Sequence, residues 1–182
     1  MAMEGGAPPT DVWLLDGVEA RTSTISGFGL FASEKIAAGI VVIRFGGRVV
    51  STADLHALFE EADRHGPDRH GRYVDTISID DDLHLVLPER SPAHFANHSC
   101  DPSLWHVSQY EVATRRTIDA GDELTIDYAT NSGDPSFTME CTCGSPLCRG
   151  TITAQDWQRP ELQDRYEGHW IPALAILIGR TV

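Results

Sequence analysis

The chain is almost without lysine: of its 14 basic residues one, Lys35, is a lysine and 13 are arginines. Base of either kind is scarce beside 27 acidic residues, which leaves a formal net charge of −13. That balance opposes sequence-independent binding to nucleic acid, where Lys and Arg must neutralise phosphates. It favours a basic partner or a simply solvated acidic surface. Long apolar runs are missing too. The strongest late one, Ile171-Pro172-Ala173-Leu174-Ala175-Ile176-Leu177-Ile178, is broken by Pro172 and far too short to span a bilayer. No membrane anchor is expected; the run reads as core or as a contact between copies, with core the simpler role. The first ten residues have neither the basic stretch nor the apolar segment of a secretory signal, so a cytoplasmic, reducing location is expected. A complete G-x-G-x-x-G followed by a βαβ unit is absent, which excludes a dinucleotide-binding fingerprint. Asp80-Asp81-Asp82 lacks the further ligands and glycine of an EF-hand loop, and reads as a hairpin tip.

Cysteine is also rare, and all four stand late in the chain, at Cys100, Cys141, Cys143 and Cys148. Two disulfides are one use for them. A reducing compartment disfavours that, and Cys141 and Cys143, one residue apart, would bridge poorly to each other. They can instead take adjacent corners of a tetrahedron, and four thiolates are the number a closed structural zinc site needs. One zinc with no open coordination position is expected.

At 182 residues the chain suits one domain with a sizeable core. Val12–Leu15, Val18–Arg21, Ile40–Phe45 and Arg48–Val50 read as strands, the third as one buried on both faces. Ser51-x-x-Asp54 begins a helix over about residues 53–65, with Leu55, Leu58, Phe59 and Ala62 on one face. Tyr73–Ile79 and Leu83–Leu87 alternate with period two and form a hairpin; Leu104–Val107, Tyr110–Ala113 and Glu123–Ile126 are the later strands. Ile118-Asp119-Ala120-Gly121 echoes Ile36-Ala37-Ala38-Gly39, each ahead of a strand. Pro160 and Pro172 suit the first turns of C-terminal helices. Periodicity therefore gives a mainly β (α+β) protein.

Three blocks in order then set the reading: Asn97-His98-Ser99-Cys100, Glu123-Leu124-Thr125-Ile126-Asp127-Tyr128, and the C-x-C-x4-C run from Cys141 to Cys148. The first two resemble the cofactor-binding and catalytic core of SET-domain lysine methyltransferases, and the third resembles their post-SET segment. Gly27-Phe28-Gly29-Leu30-Phe31-Ala32 resembles the family's loop along the methionine part of S-adenosylmethionine. The resemblance runs from about Val18 to Thr151. It implies a β-clip fold with a pseudoknotted C-terminal half, a zinc-bound post-SET segment and C-terminal helices. The implied organisation is an N-terminal segment 1–17, a SET domain 18–130, a post-SET segment 137–152 and a helical tail 153–182.

By the same resemblance, S-adenosylmethionine is held by Gly27, Phe28, Gly29, Leu30, Tyr73, His94, Phe95, Asn97, His98 and Tyr128. Phe137, Met139 and Thr142 become walls of the adenine pocket. Tyr128 is implied as the catalytic tyrosine and Tyr73 as a second tyrosine lining a lysine channel, with Cys100, Cys141, Cys143 and Cys148 as the metal ligands. The implied reaction is methylation of a lysine side chain on another protein; Lys35 is the one lysine available for self-modification. A SET scaffold redirected to a small amine, and a catalytically silent binding module, are the rival readings. His94 stands where the family has Arg, Arg48 where it often has Glu, Ser103 where Asn is frequent, and Ile126 where it has Phe or Tyr. The last change removes ring and phenol beside the target nitrogen and leaves room for an already methylated amine. No cysteine precedes Cys100, so no pre-SET zinc cluster is expected within the chain, and its compactness suggests a bacterial member.

Overall fold

The computed structural model describes residues 7–65, 74–80, 82–89, 91–131 and 137–180. Among them, short antiparallel strands form four small sheets, as the alternating patterns require. In the first, β1 (Trp13–Leu14), β4 (Val41–Arg44), β9 (Glu111–Thr114) and β8 (Leu104–His106) lie side by side in that order. The second is β10 (Glu123–Leu124), β3 (Phe28–Ala32) and β2 (Val18–Thr22); the third is β5 (Arg48–Ser51), β7 (Leu83–Val86) and β6 (Thr76–Asp80). In the fourth, β11 (Thr138–Glu140) pairs with β12 (Thr151–Thr153).

Helix α1 (Thr52–His65) starts where the capping signal places it: Ser51 Oγ accepts from the Asp54 N–H at 3.1 Å and donates to Asp54 Oδ2 at 2.9 Å. The two echoing Ile-to-Gly segments prove to be partners, since Ile36 and Ile118 exchange backbone hydrogen bonds of 2.9 Å in both directions. Gly39 and Gly121 then close the turns at φ of 82° and 93°. Helices α2 (Pro160–Arg165) and α3 (Pro172–Arg180) each open on proline. Ile171 and Leu174 sink into the main core with Leu30, Ile43, Leu85 and Leu104, while Ala175 and Ile176 of the same late apolar run are exposed. No helix of the described residues is long and apolar enough to cross a membrane.

Two strands differ from expectation. The run Ile40–Phe45 is not buried on both faces throughout: Ile40 and Arg44 are exposed, while Val42 and Ile43, consecutive in sequence, are both fully buried. A register shift against β9 between Val41 and Ile43 causes this, because an extra residue breaks the two-residue alternation. The strand expected over Glu123–Ile126 leaves the β3 ladder after Leu124. Beyond it Thr125 carbonyl takes the Ser103 and Leu104 N–H groups, and Ile126 turns to a different partner. The expected hairpin residues Tyr73 and Asp81 lie outside the described residues.

Candidate functional site

The new partner of Ile126 is the Asn97–Cys100 segment. Ile126 N–H donates to Asn97 carbonyl at 3.0 Å and Ser99 N–H to Ile126 carbonyl at 3.1 Å, a parallel bridge where the other strand pairs of the described residues are antiparallel. Asp127 follows, and its Oδ1 caps a 3-10 turn over Tyr128–Thr130 by accepting from the Ala129 N–H at 3.0 Å. The cap sets Tyr128, half-buried, in the wall of a cavity of about 250 Å³. Its hydroxyl donates to Ala96 carbonyl at 3.0 Å. Ile43, Phe45, Ile77, Ala93, Ile126 and Phe137 make that cavity largely apolar; Asp75, His94 and Asn131 share it with Tyr128 as polar groups.

Asn97 ties this crossing to the glycine loop. Its Nδ2 lies 2.9 Å from Phe28 carbonyl, 3.2 Å from Ser26 carbonyl and 2.7 Å from Glu123 Oε1. Three acceptors around one nitrogen fix which way the amide points, and its Oδ1 has no partner among the described residues. Glu123 also accepts from Ser23 Oγ at 2.8 Å. Gly29 makes the arrangement fit, since a Cβ there would lie 2.1 Å from Glu123 Oε1 and 3.1 Å from Asn97 Nδ2. Phe28 beside it is 54 % exposed, with its ring 5.7 Å from that of Phe95. Leu30 is fully buried in the core, so only its backbone is left for a ligand.

The four cysteine sulfurs lie within 4.8 Å of one another. Cys141 Sγ is 3.8 Å from both Cys100 Sγ and Cys148 Sγ. A disulfide needs ~2.05 Å, whereas the edge of a tetrahedron with ~2.3 Å zinc–sulfur bonds is ~3.8 Å. The donor set therefore fits zinc and not a disulfide pair. His98, expected as a cofactor residue, is buried against this cluster. Its Nδ1 accepts from the Tyr128 N–H at 3.2 Å, so the ring proton is on Nε2, 3.4 Å from Cys100 Sγ. Asp127 Oδ1 is 3.6 Å from Nδ1, but burial outweighs it and pulls the His98 pKa down to about 4, leaving the ring neutral. His98 is thus a link between a sulfur ligand and the backbone of Tyr128.

A buried ionic group, which no single sequence motif had flagged, holds the tail. Arg149 donates from two nitrogens to Asp127 at 2.6 and 2.7 Å, and Tyr166 hydroxyl donates to Asp127 Oδ2 at 2.9 Å. Arg149 Nε also stands 3.0 Å from Asp156 Oδ2, a charge contact whose angles do not make a hydrogen bond, since both atoms are otherwise unpartnered. Asp127 and Arg149 sit in motif blocks and Asp156 and Tyr166 in the tail, and nothing local in the sequence pairs position 127 with 149 or 166.

Of the other expected site residues, His94 lines the cavity but is tied to protein: Nδ1 is 2.8 Å from Asp75 Oδ2, and the ring also bonds the Pro88 carbonyl. Thr142 is exposed and outside the cavity lining, while Phe137 joins the cavity wall to the small core of Cys100, Ala129, Cys141 and Ile152. Tyr73 lies outside the described residues. The Asp75 hydrogen bond raises the His94 pKa against the opposing effect of burial. A pKa raised on folding stabilises the protein below the unfolded value of about 6.5 and loses that effect as pH climbs through the folded value. His94→Gln should therefore lower the melting temperature more near pH 6 than near pH 9. Thermal melts of both proteins across that range check it; a gap that widens with pH would contradict the assignment.

Residues 27–129 match the SET domain family, a span running from the glycine loop to the turn that carries Tyr128. The human histone-lysine N-methyltransferase SUV39H2 is 33 % identical over 161 residues, covering 72 % of this chain and 38 % of that protein. The fungal histone-lysine N-methyltransferase, H3 lysine-4 specific, of Mycosarcoma maydis is 30 % identical over 159 residues, 79 % of this chain and 11 % of its own length. The Drosophila melanogaster histone-lysine N-methyltransferase ash1 is 28 % identical over 143 residues, 75 % of this chain and 6 % of its length. The chain thus spans well under half of these relatives. The family match covers more than half of the chain and takes in the loop, the crossing and the tyrosine turn described above, and the chain belongs to the SET-domain family.

Proposed function

We propose that the chain transfers a methyl group from S-adenosylmethionine to a lysine side chain of another protein. The observation that carries this is the placement of Tyr128, its hydroxyl bonded to Ala96 carbonyl on the wall of an apolar cavity, beside the Asn97-anchored glycine loop. Relatives named as histone-lysine N-methyltransferases support the choice of lysine. The acidic surface, at −13 overall, suits a basic protein as partner rather than a nucleic acid.

When bound, S-adenosylmethionine supplies a methyl group on a positively charged sulfur. Its requirements fit the residues present: Asn97 Oδ1, beside the glycine loop, is an acceptor without a partner among the described residues and suits the ammonium group of the methionine part. The apolar cavity walls disfavour a lysine ammonium, whose reference pKa of about 10.4 must fall before the amine can act as a nucleophile. Tyr128 gives its proton to Ala96 carbonyl, which fixes where the phenol oxygen stands on the cavity wall. One zinc on Cys100, Cys141, Cys143 and Cys148 would be structural, with no open position for substrate. Through Cys100, His98 and Phe137 it would hold the tail against the cavity.

Tyr128→Phe and Asn97→Ala separate the roles. The first removes one positioning hydroxyl and should lower single-turnover rate on the order of 100-fold with cofactor affinity nearly kept. The second releases the loop and should weaken cofactor binding roughly tenfold or more before it touches the rate. Cofactor titration and single-turnover kinetics on a labelled protein substrate measure both; near-wild-type turnover in Tyr128→Phe would displace the catalytic centre from this turn.

A further inference from the structure

Of the cavity's polar groups that the chemistry above does not use, His94 and Asp75 bond each other, while a further one is held from outside the lining. Asn131, just after the Tyr128 turn, lines the cavity, and its carboxamide is gripped from behind by His106. His106 is buried on β8, where burial pulls its pKa down to about 4, so it is a neutral ring with a single N–H. Nε2 contacts Asn131 Oδ1, and Nδ1 has no partner. Had the proton been on Nδ1, a buried N–H would be stranded, which proteins avoid more strictly than an unused acceptor. Nε2 therefore donates and Asn131 Oδ1 accepts. Thr130 Oγ1, whose one proton goes to Asp127 carbonyl at 2.7 Å, lies 3.3 Å from the same oxygen. His169 Nδ1, 2.7 Å from the His106 carbonyl, fixes the backbone behind the ring.

The consequence is an amide locked by its oxygen, with the Nδ2 donors left without a partner among the described residues. A donor in a largely apolar cavity calls for an acceptor from the ligand. The target amine is a poor one, because a hydrogen bond to its lone pair would block attack on the methyl group. We infer that Asn131 is a substrate-binding residue that takes a main-chain carbonyl of the protein substrate beside its target lysine, and that His106 is the positioning residue that holds it there. This rests on the methyltransferase reading and narrows it: a peptide offers such a carbonyl, a simple alkylamine does not.

The test uses the full chain, S-adenosylmethionine and purified core histones, with a basic protein fraction of a lysate as second substrate. Asn131→Leu should raise KM for the methylated protein about tenfold, the worth of one well-placed hydrogen bond, with kcat changed much less and cofactor affinity unchanged. Asn131→Asp, similar in shape but with acceptors only, should not restore KM. His106→Leu should raise KM likewise, and His106→Gln, which keeps a side-chain donor, should recover part of it; a merely structural His106 would give no such split. Unchanged KM in Asn131→Leu would overturn the inference while leaving the methyltransferase reading intact. A loss confined to cofactor affinity would overturn it too, by assigning the amide to the cofactor. No methylation by the unaltered chain on either substrate would remove both.

Discussion

Cys143→Ser is expected to strip the protein of its metal and to release the post-SET segment, about residues 137–152, from the SET core. Purified wild-type protein should hold one zinc per chain, and a structural tetrathiolate site contributes on the order of 10 kcal/mol to folding. The post-SET segment has little else to hold it, since β11 and β12 are a three-residue pair packed on the small core of Cys100, Ala129, Cys141 and Ile152, whereas Leu162, Tyr166, Ile171 and Leu174 keep α2 and α3 in the main core. The ligands also tie distant parts of the sequence together. Cys100 belongs to the crossing segment, and the Nε2–H of His98 reaches its sulfur while Nδ1 receives the Tyr128 N–H. Losing the ion should thus lower cofactor affinity and turnover as well as order in the tail. Metal analysis, limited proteolysis and cofactor titration read the three effects. Stoichiometric disulfides in the wild type, or full cofactor affinity in Cys143→Ser, would contradict the account.

Arg149→Leu is expected to cost about 3–5 kcal/mol of stability, the range for removing one partner of a buried ion pair. The Asp127 side chain has 0 % exposure and Arg149 4 %, so the carboxylate left behind has no route to water. Tyr166 hydroxyl and the Ala129 N–H would still bond Asp127, but neither carries charge. Asp127→Asn combined with Arg149→Leu should recover part of the loss, because the stranded charge is then gone. Urea denaturation of the two proteins decides it. A penalty below about 1 kcal/mol for Arg149→Leu would mean that the pair is not buried as described.

Much of this was legible in the sequence for physical reasons. Cysteine has few uses in a reducing setting, so four late cysteines predicted their own cluster. Ser51 and Asp54 predicted the start of α1, and paired Ile-to-Gly segments predicted turns, though not that Ile36 and Ile118 would bond to each other. What failed was what alternation cannot encode. The bulge in β4 buries two adjacent residues, and Ile126 leaves its ladder because a segment nearly thirty positions earlier offers a better partner. Within the site, Asn97 stands at the crossing and Tyr128 in the cavity wall, and the side chain of His98, a cofactor residue by resemblance, meets a sulfur and a backbone N–H. Leu30 likewise keeps only its backbone for a ligand. Asp127, Arg149, Tyr166, His106 and Asn131 were silent, since their meaning lies in contacts between residues far apart in the chain.

The proposed function has this chain move a methyl group from S-adenosylmethionine to a protein lysine at Tyr128. Its most direct test is incubation of wild-type chain with methyl-labelled S-adenosylmethionine and a basic protein extract, followed by amino-acid analysis of the labelled product. Label is expected in methylated lysine, dependent on the added chain and nearly absent with Tyr128→Phe. Label in a small amine, label on another side chain, or no label from a chain that binds the cofactor would contradict it.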